Sequence, residues 1–140
     1  SSAAELAGSI RDSAKLAQAY ASATTAKIAV VTGKAYGSAY VALASTAAGS
    51  DFTFAWEGAV IAPTTPEAAV VFLNGVSEDN AKQAQEYADN EADAFTAAAN
   101  GYVDRVITAE DTKSALTSAI EATSSKRVVT PAKKHVNFVY

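Results

Sequence analysis

Apolar residues return at helical spacing along the first stretch of the chain: Leu6, Ile10, Ala14, Leu16 or Ala17, and Tyr20. Strong helix formers dominate and no proline interrupts, so the pattern predicts one helix over residues 3–23. The period then gives way to the run Lys27-Ile28-Ala29-Val30-Val31-Thr32, which predicts a short buried strand ended by Gly33. Residues 34–38 read as a turn, and residues 39–46 return to helical composition. Two more short strands are predicted at 51–56 and 58–62, with Glu57 between them.

Pro63-Thr64-Thr65-Pro66-Glu67 reads as a turn into a helix, with Thr65 as the cap and Pro66 at the first helical position. That helix is expected to run to about residue 73 and to close at Asn74-Gly75. A long helix with a polar face is predicted over 77–99, closed by Asn100-Gly101. A strand at 102–107 and a helix from Thr108 or Glu110 to about residue 123 follow. The tail, 124–140, is basic at first and contains Pro131, so it is expected to wrap a surface. Strands alternate with helices, which points to the α/β class: a mostly parallel sheet with flanking helices. No internal repeat is visible.

Composition sharpens this picture. A length of 140 residues suits one domain. Hydrophobic residues make up 49%, but much of that is alanine, so the core is expected to be thin and to need a partner surface. With no cysteine, disulfides and thiolate metal sites are excluded. A net charge of −4 gives no electrostatic case for nucleic acid. The longest apolar runs fall well short of the roughly 18 residues that cross a bilayer. No signal-peptide pattern opens the sequence, and methionine is missing, so a processed product, a domain fragment or a trimmed chain is expected, in the cytoplasm.

Candidate chemistry centres on the strand, glycine-containing turn and helix at 27–46, an arrangement that aims backbone N–H groups at an anion. The N–H groups so placed are those of Gly37, Ser38 and Ala39. The same small residues also suit a turn that merely lets a helix pack on the sheet. His135 is the only histidine, which rules out a multi-histidine metal site, and it reads as solvated. Glu86, Asp89, Glu91 and Asp93 fall on one predicted helix and read as a solvated face rather than a metal or acid–base site. Trp56 reads as core or interface packing. Lys126, Arg127, Lys133 and Lys134 read either as ordinary surface charge or as an attractor of phosphates or an acidic partner.

Five segments carry a family resemblance: Ile10-Arg11-Asp12-Ser13-Ala14-Lys15-Leu16, the run from Lys27 through Lys34-Ala35-Tyr36-Gly37-Ser38-Ala39-Tyr40, the strand ending in Ala55-Trp56, Gly101-Tyr102-Val103-Asp104, and Pro131-Ala132-Lys133-Lys134-His135-Val136-Asn137. In this order and spacing the chain resembles the carboxyl-terminal half of biotin-dependent acyl-CoA carboxyltransferases, the propionyl-CoA carboxylase kind. The resemblance implies a crotonase-like fold (the ClpP/crotonase kind) and a site facing biotin, with most of the CoA held by an amino-terminal half absent from this sequence. It places the donors that stabilise the biotin oxyanion at Ser38 and Ala39, with Gly37, Tyr40 and Val41 lining the substrate. Val41 matches a position that lines the acyl pocket, while its place in a helix equally suits the core. Ser38 stands where the family usually has a second glycine, and 62–66 replaces a glycine-containing segment.

The implied activity is carboxyl transfer between carboxybiotin, borne on a biotin carboxyl carrier protein, and a short-chain acyl-CoA, in a homo- or hetero-oligomer. Two other roles fit the same sequence: the decarboxylase component of a biotin-dependent sodium pump, or a non-catalytic binding or assembly module. No metal is expected.

Overall fold

A computed structural model describes residues 2–129. Two parallel sheets organise it. In the first, β1 (Ile28–Val31), β3 (Phe52–Trp56) and β5 (Arg105–Ile107) lie in the order β1-β3-β5, with Val31 opposite Ala55 and Ala55 opposite Val106. In the second, β2 (Lys34–Tyr36) pairs with β4 (Val60–Ala62), with Tyr36 opposite Ala62. The chain therefore repeats a strand–strand–helix turn. β1 and β2 lead into α3 (Gly37–Leu43), and β3 and β4 lead into α4 (Pro66–Asn74). Because the strands of successive turns pair in register, the two helix starts emerge side by side.

Alternation along β3 divides the core in two. Phe54 packs with Ile107 and with Ala115 and Ala119 of α7 (Thr112–Thr123), and Trp56 joins this side. The Trp56 indole N–H donates to the Thr112 hydroxyl at 2.9 Å, so the packing role expected for Trp56 holds. On the opposite face Ala55 meets Val31, Ala44, Ile61, Ala94, Ala97 and Val103. Thr53, wholly buried on that face, donates its hydroxyl to the Ala44 carbonyl at 2.5 Å, and its N–H meets the Asp104 carboxylate at 2.7 Å. Most of this core is alanine, so helices and sheet approach closely but bury little area per residue. The thin core expected from composition is what the fold contains.

Four local expectations change. The first helix is two: α1 (Ser2–Leu6) stops at Gly8, whose φ of 93° takes the chain into the left-handed region before α2 (Ser9–Ser22) begins. Residues 34–36, read as turn, form β2, because β4 offers them a ladder that local sequence does not reveal. The following helix ends at Leu43 rather than at 46 and gives way to a 3-10 turn, Thr46–Ala48. The long helix predicted over 77–99 is α5 (Asn80–Asn90) and α6 (Ala94–Ala99). Its break has a physical cause. The Ile61 N–H on the outer edge of β4 donates to the Ala92 carbonyl at 2.7 Å, and Val60 bridges Asp93. A strand edge that needs partners has drawn backbone out of the helix.

Asp93 accordingly leaves the solvated face assigned to it. Its carboxylate caps α6, accepting from the N–H groups of Phe95 at 2.8 Å and Thr96 at 3.1 Å. Hydrogen bonding from Thr96, acting against the effect of partial burial and helped by the Phe95 N–H, holds its carboxyl below the usual range. Lys126 is likewise more than surface charge: its ammonium lies 2.7 Å from the Asp51 carboxylate, which also accepts from the Lys27 N–H at 2.7 Å. His135, Lys133, Lys134 and Pro131 lie outside the described residues. Among the described residues no cluster of acidic or histidine side chains could hold a metal ion, and no helix is long and apolar enough to cross a membrane.

Candidate active site

The junction of β2 and α3 is built by Tyr36, Gly37, Ser38 and Ala39. Tyr36 is the last extended residue, at φ −122° and ψ 146°, and its side chain makes no capping bond. Gly37 then turns the chain at φ 56°. A Cβ there would lie 3.5 Å from the Pro63 carbonyl oxygen, so the loop after β4 passes directly over the turn. Conformation rather than space is what requires glycine here. Ser38 and Ala39 are the next two residues of the first helical turn, whose N–H groups have no acceptor within the helix. Both residues are exposed. The neighbouring helix start differs, because Thr65 caps α4 with its own hydroxyl, accepting from the Ala68 N–H at 3.3 Å.

The faces of α3 separate two cavities. Ser38, Val41 and Ala42, at positions i, i+3 and i+4, line a slot of about 460 Å³ whose far wall is Ser9, Ile10, Ser13, Ala14 and Ala17 of α2. Ala39, Tyr40 and Leu43 border a wider cavity of about 810 Å³ that runs along β1 and β2 beneath the end of α2. Val41 is 52% exposed, so the reading that put it in the core is overturned. Tyr40 packs its ring against the core and donates its hydroxyl to the Tyr102 carbonyl at 3.0 Å, which ties α3 to the segment before β5. Burial, with a smaller contribution from Tyr102, raises its phenol above the ordinary range. Tyr36 is raised in the same way by burial and then by the Glu67 carboxylate, so both phenols stay protonated at neutral pH.

The structure thus brings Gly37, Ser38, Ala39, Tyr40 and Val41 to one place. The α2 residues Ile10, Ala14 and Ala17 were legible in sequence only as the apolar face of a helix, a signal that ordinarily means core. In fact α2 buries none of its residues, and Ile10 is 68% exposed. Chemically, two open N–H groups beside a slot with mostly apolar walls can hold a developing oxyanion while an apolar group lies alongside.

Comparison with known proteins identifies the family. The family model described as "Carboxyl transferase domain" matches residues 1–138. The chain belongs to the carboxyl transferase domain family. It is 39% identical over 142 residues to the methylmalonyl-CoA carboxyltransferase 12S subunit of Propionibacterium freudenreichii subsp. shermanii, covering 96% of this chain and 27% of that protein. It is 38% identical to the mitochondrial propionyl-CoA carboxylase beta chain of Rattus norvegicus, over 95% of this chain and 25% of the relative. The methylmalonyl-CoA decarboxylase alpha subunit of Veillonella parvula is also 38% identical, with 95% and 26% covered. The carboxyl transferase domain described here thus spans about a quarter of the length of these curated relatives.

Among solved structures, the transcarboxylase 12S hexamer with hydrolysed methylmalonyl-coenzyme A bound superposes with a TM-score of 0.87 at 39% identity, over 97% of this chain and 27% of that one. The beta subunit of geranyl-CoA carboxylase from P. aeruginosa matches with a TM-score of 0.74 at 21% identity, over 98% and 28%, a likeness of fold. The fold is the crotonase-like fold of the carboxyltransferases.

Proposed function

We propose that this carboxyl transferase domain supplies the biotin-facing part of an enzyme that moves a carboxyl group between carboxybiotin and a short-chain acyl-CoA. One observation carries the reading: the N–H groups of Ser38 and Ala39 stand open at the start of α3, uncapped, behind a glycine that only a left-handed turn requires. Carboxybiotin, presented by a biotin carboxyl carrier protein, supplies an activated carboxyl group and takes up negative charge on its ureido oxygen as that group departs. Ser38 and Ala39 fit that oxygen because they are small, exposed and preorganised. Gly37 sets their direction, Tyr40 fixes α3 against the core, and Val41 faces the acyl group. A donor of this kind contributes about 3–4 kcal/mol to a transition state.

The remaining length of the relatives leaves room for the part that holds most of the CoA, whether an amino-terminal carboxyltransferase half or a partner subunit. Exposed apolar side chains support an oligomer, as in the hexameric relative. Phe72, Leu73 and Val76, at the end of α4 and just beyond it, are 89%, 64% and 88% exposed. We place the enzyme in the cytoplasm. The decarboxylase direction is a second reading, favoured by the 38% identity to the Veillonella parvula decarboxylase subunit. The same donors would serve it.

The test is biotin-dependent decarboxylation of methylmalonyl-CoA by this chain combined with a carboxyltransferase amino-terminal half. Activity is expected in the combination and to be lost when Ala39 is replaced by Phe, which crowds the donors. Undiminished transfer by Ala39→Phe would sink the assignment of the site.

A further inference from the structure

β1 has the composition of an interior strand and the position of an outer one. Its residues Ile28–Val31 are apolar on both faces, as in strands with neighbours on either side. Yet only β3 pairs with it. Ile28, Ala29 and Val30 stay half-exposed, whereas Thr53, Phe54 and Ala55 of β3 are buried. β2 is placed likewise, with β4 on one side alone. Backbone alternation identifies the unused groups. The Lys27 carbonyl accepts from the N–H groups of Asp51 and Phe52, so Lys27, Ala29 and Val31 face β3. Ile28 and Val30 therefore turn their N–H and C=O groups the other way. The Gly33 carbonyl accepts from the Val60 N–H, so Gly33 and Ala35 face β4, and Lys34 and Tyr36 face outward. The cavity of about 810 Å³ touches every residue of both strands, and Ala19, Tyr20 and Ala23 bound it from the α2 side.

We infer that this cavity seats two further strands, one parallel to β1 and one parallel to β2, supplied by the part of the carboxyltransferase outside this sequence. Every pairing in both sheets is parallel, and one strand–strand–helix turn has already been laid on another, β3 and β4 upon β1 and β2. A turn added on the open side repeats that step. The length is available, because the chain covers only 27% of the 12S relative. A second copy docked edge to edge across a twofold axis normal to the sheet would bring β1 to β1 antiparallel, out of keeping with both sheets. Main-chain hydrogen bonds to Ile28, Val30, Lys34 and Tyr36 supply the attraction, as in other strand additions. Ala39 borders the same cavity, so the seated strands also wall the donor turn on the side away from the slot. None of this depends on carboxyl transfer.

The test mixes this chain with the part of the 12S relative that it leaves uncovered and reads amide hydrogen exchange residue by residue. In the complex, Ile28 and Val30 are expected to exchange as slowly as Ala29 and Val31. Fast exchange at Ile28 and Val30 beside slow exchange at Ala29 and Val31 would overturn the inference, as would failure of the two parts to associate. Val30→Pro removes one outward N–H and leaves those of Ala29 and Val31, a change that a free outer strand tolerates. It is expected to keep the circular dichroism spectrum and to raise the Kd for the remaining part about tenfold, the effect of one unmade backbone bond. An unchanged Kd counts against the seated strands. Should the variant not fold, the exchange pattern of the unsubstituted complex decides alone. Light scattering separates the other occupant: if Val30→Pro halves the number of copies and leaves the remaining part bound, the margin holds a second copy and the inference falls.

Discussion

Gly37 lies beneath the Pro63 carbonyl, one strand–strand–helix turn of the fold touching the next at the point where the candidate donors begin. The contact is of ordinary length, so the pressure on this position comes from its φ of 56°. Gly37→Ala is expected to cost about 1–2 kcal/mol of folding stability, the penalty of a left-handed residue bearing a Cβ. Gly37→Asn should cost less, since asparagine tolerates that region. Urea denaturation of the three proteins gives the order.

Ala39→Pro tests the donor without adding bulk on the slot side. Proline is tolerated within the first helical turn, where its missing N–H bonds nothing in the helix. Transfer should fall by about 10²–10³-fold, as for loss of one oxyanion donor, while the circular dichroism spectrum is kept. A fall of less than threefold would show that the Ala39 N–H is not used.

Tyr40→Phe removes the hydroxyl that reaches the Tyr102 carbonyl across 62 residues of sequence. A stability loss of about 1 kcal/mol is expected in thermal unfolding. Because Tyr40 acts by holding α3, kcat should decline modestly, with KM for acyl-CoA nearly constant.

Asp51 gives the fold a defined acid sensitivity. Its carboxyl is held below the ordinary value of 3.8, first by the Lys126 ammonium and then, against some desolvation, by the Lys27 N–H. A lowered folded pKa means the stabilisation is complete above that ordinary value. It is lost as pH falls from there through the folded pKa. Asp51→Asn should therefore flatten the acid limb of a stability-against-pH curve and lower the plateau near neutrality. An unchanged acid limb would mean that the pair adds nothing.

Much of this was legible in the sequence, and the failures share a cause. Ile28 to Val31 announced a strand by β-branching, and Thr65 with Pro66 announced the start of α4 by its capping chemistry, because both signals are local. The Gly37, Ser38 and Ala39 turn was found through its small residues and its family resemblance. What escaped was set by partners distant in sequence. β2 exists because β4 pairs with it, and α5 parts from α6 because β4 takes the backbone at Ala92 and Asp93. The slot wall on α2 escaped for a different reason: an apolar helical face looks the same whether it meets a core or lines a cavity.

The order of the first sheet has one more consequence. β1 stands at its margin, four apolar residues long, with no proline, lysine or bulge within it to discourage pairing. Left open, such a margin can pair with a stray segment of another molecule. Handling of the isolated polypeptide would therefore be governed by colloidal behaviour: yield, turbidity and shelf life would depend on how dilute it is kept.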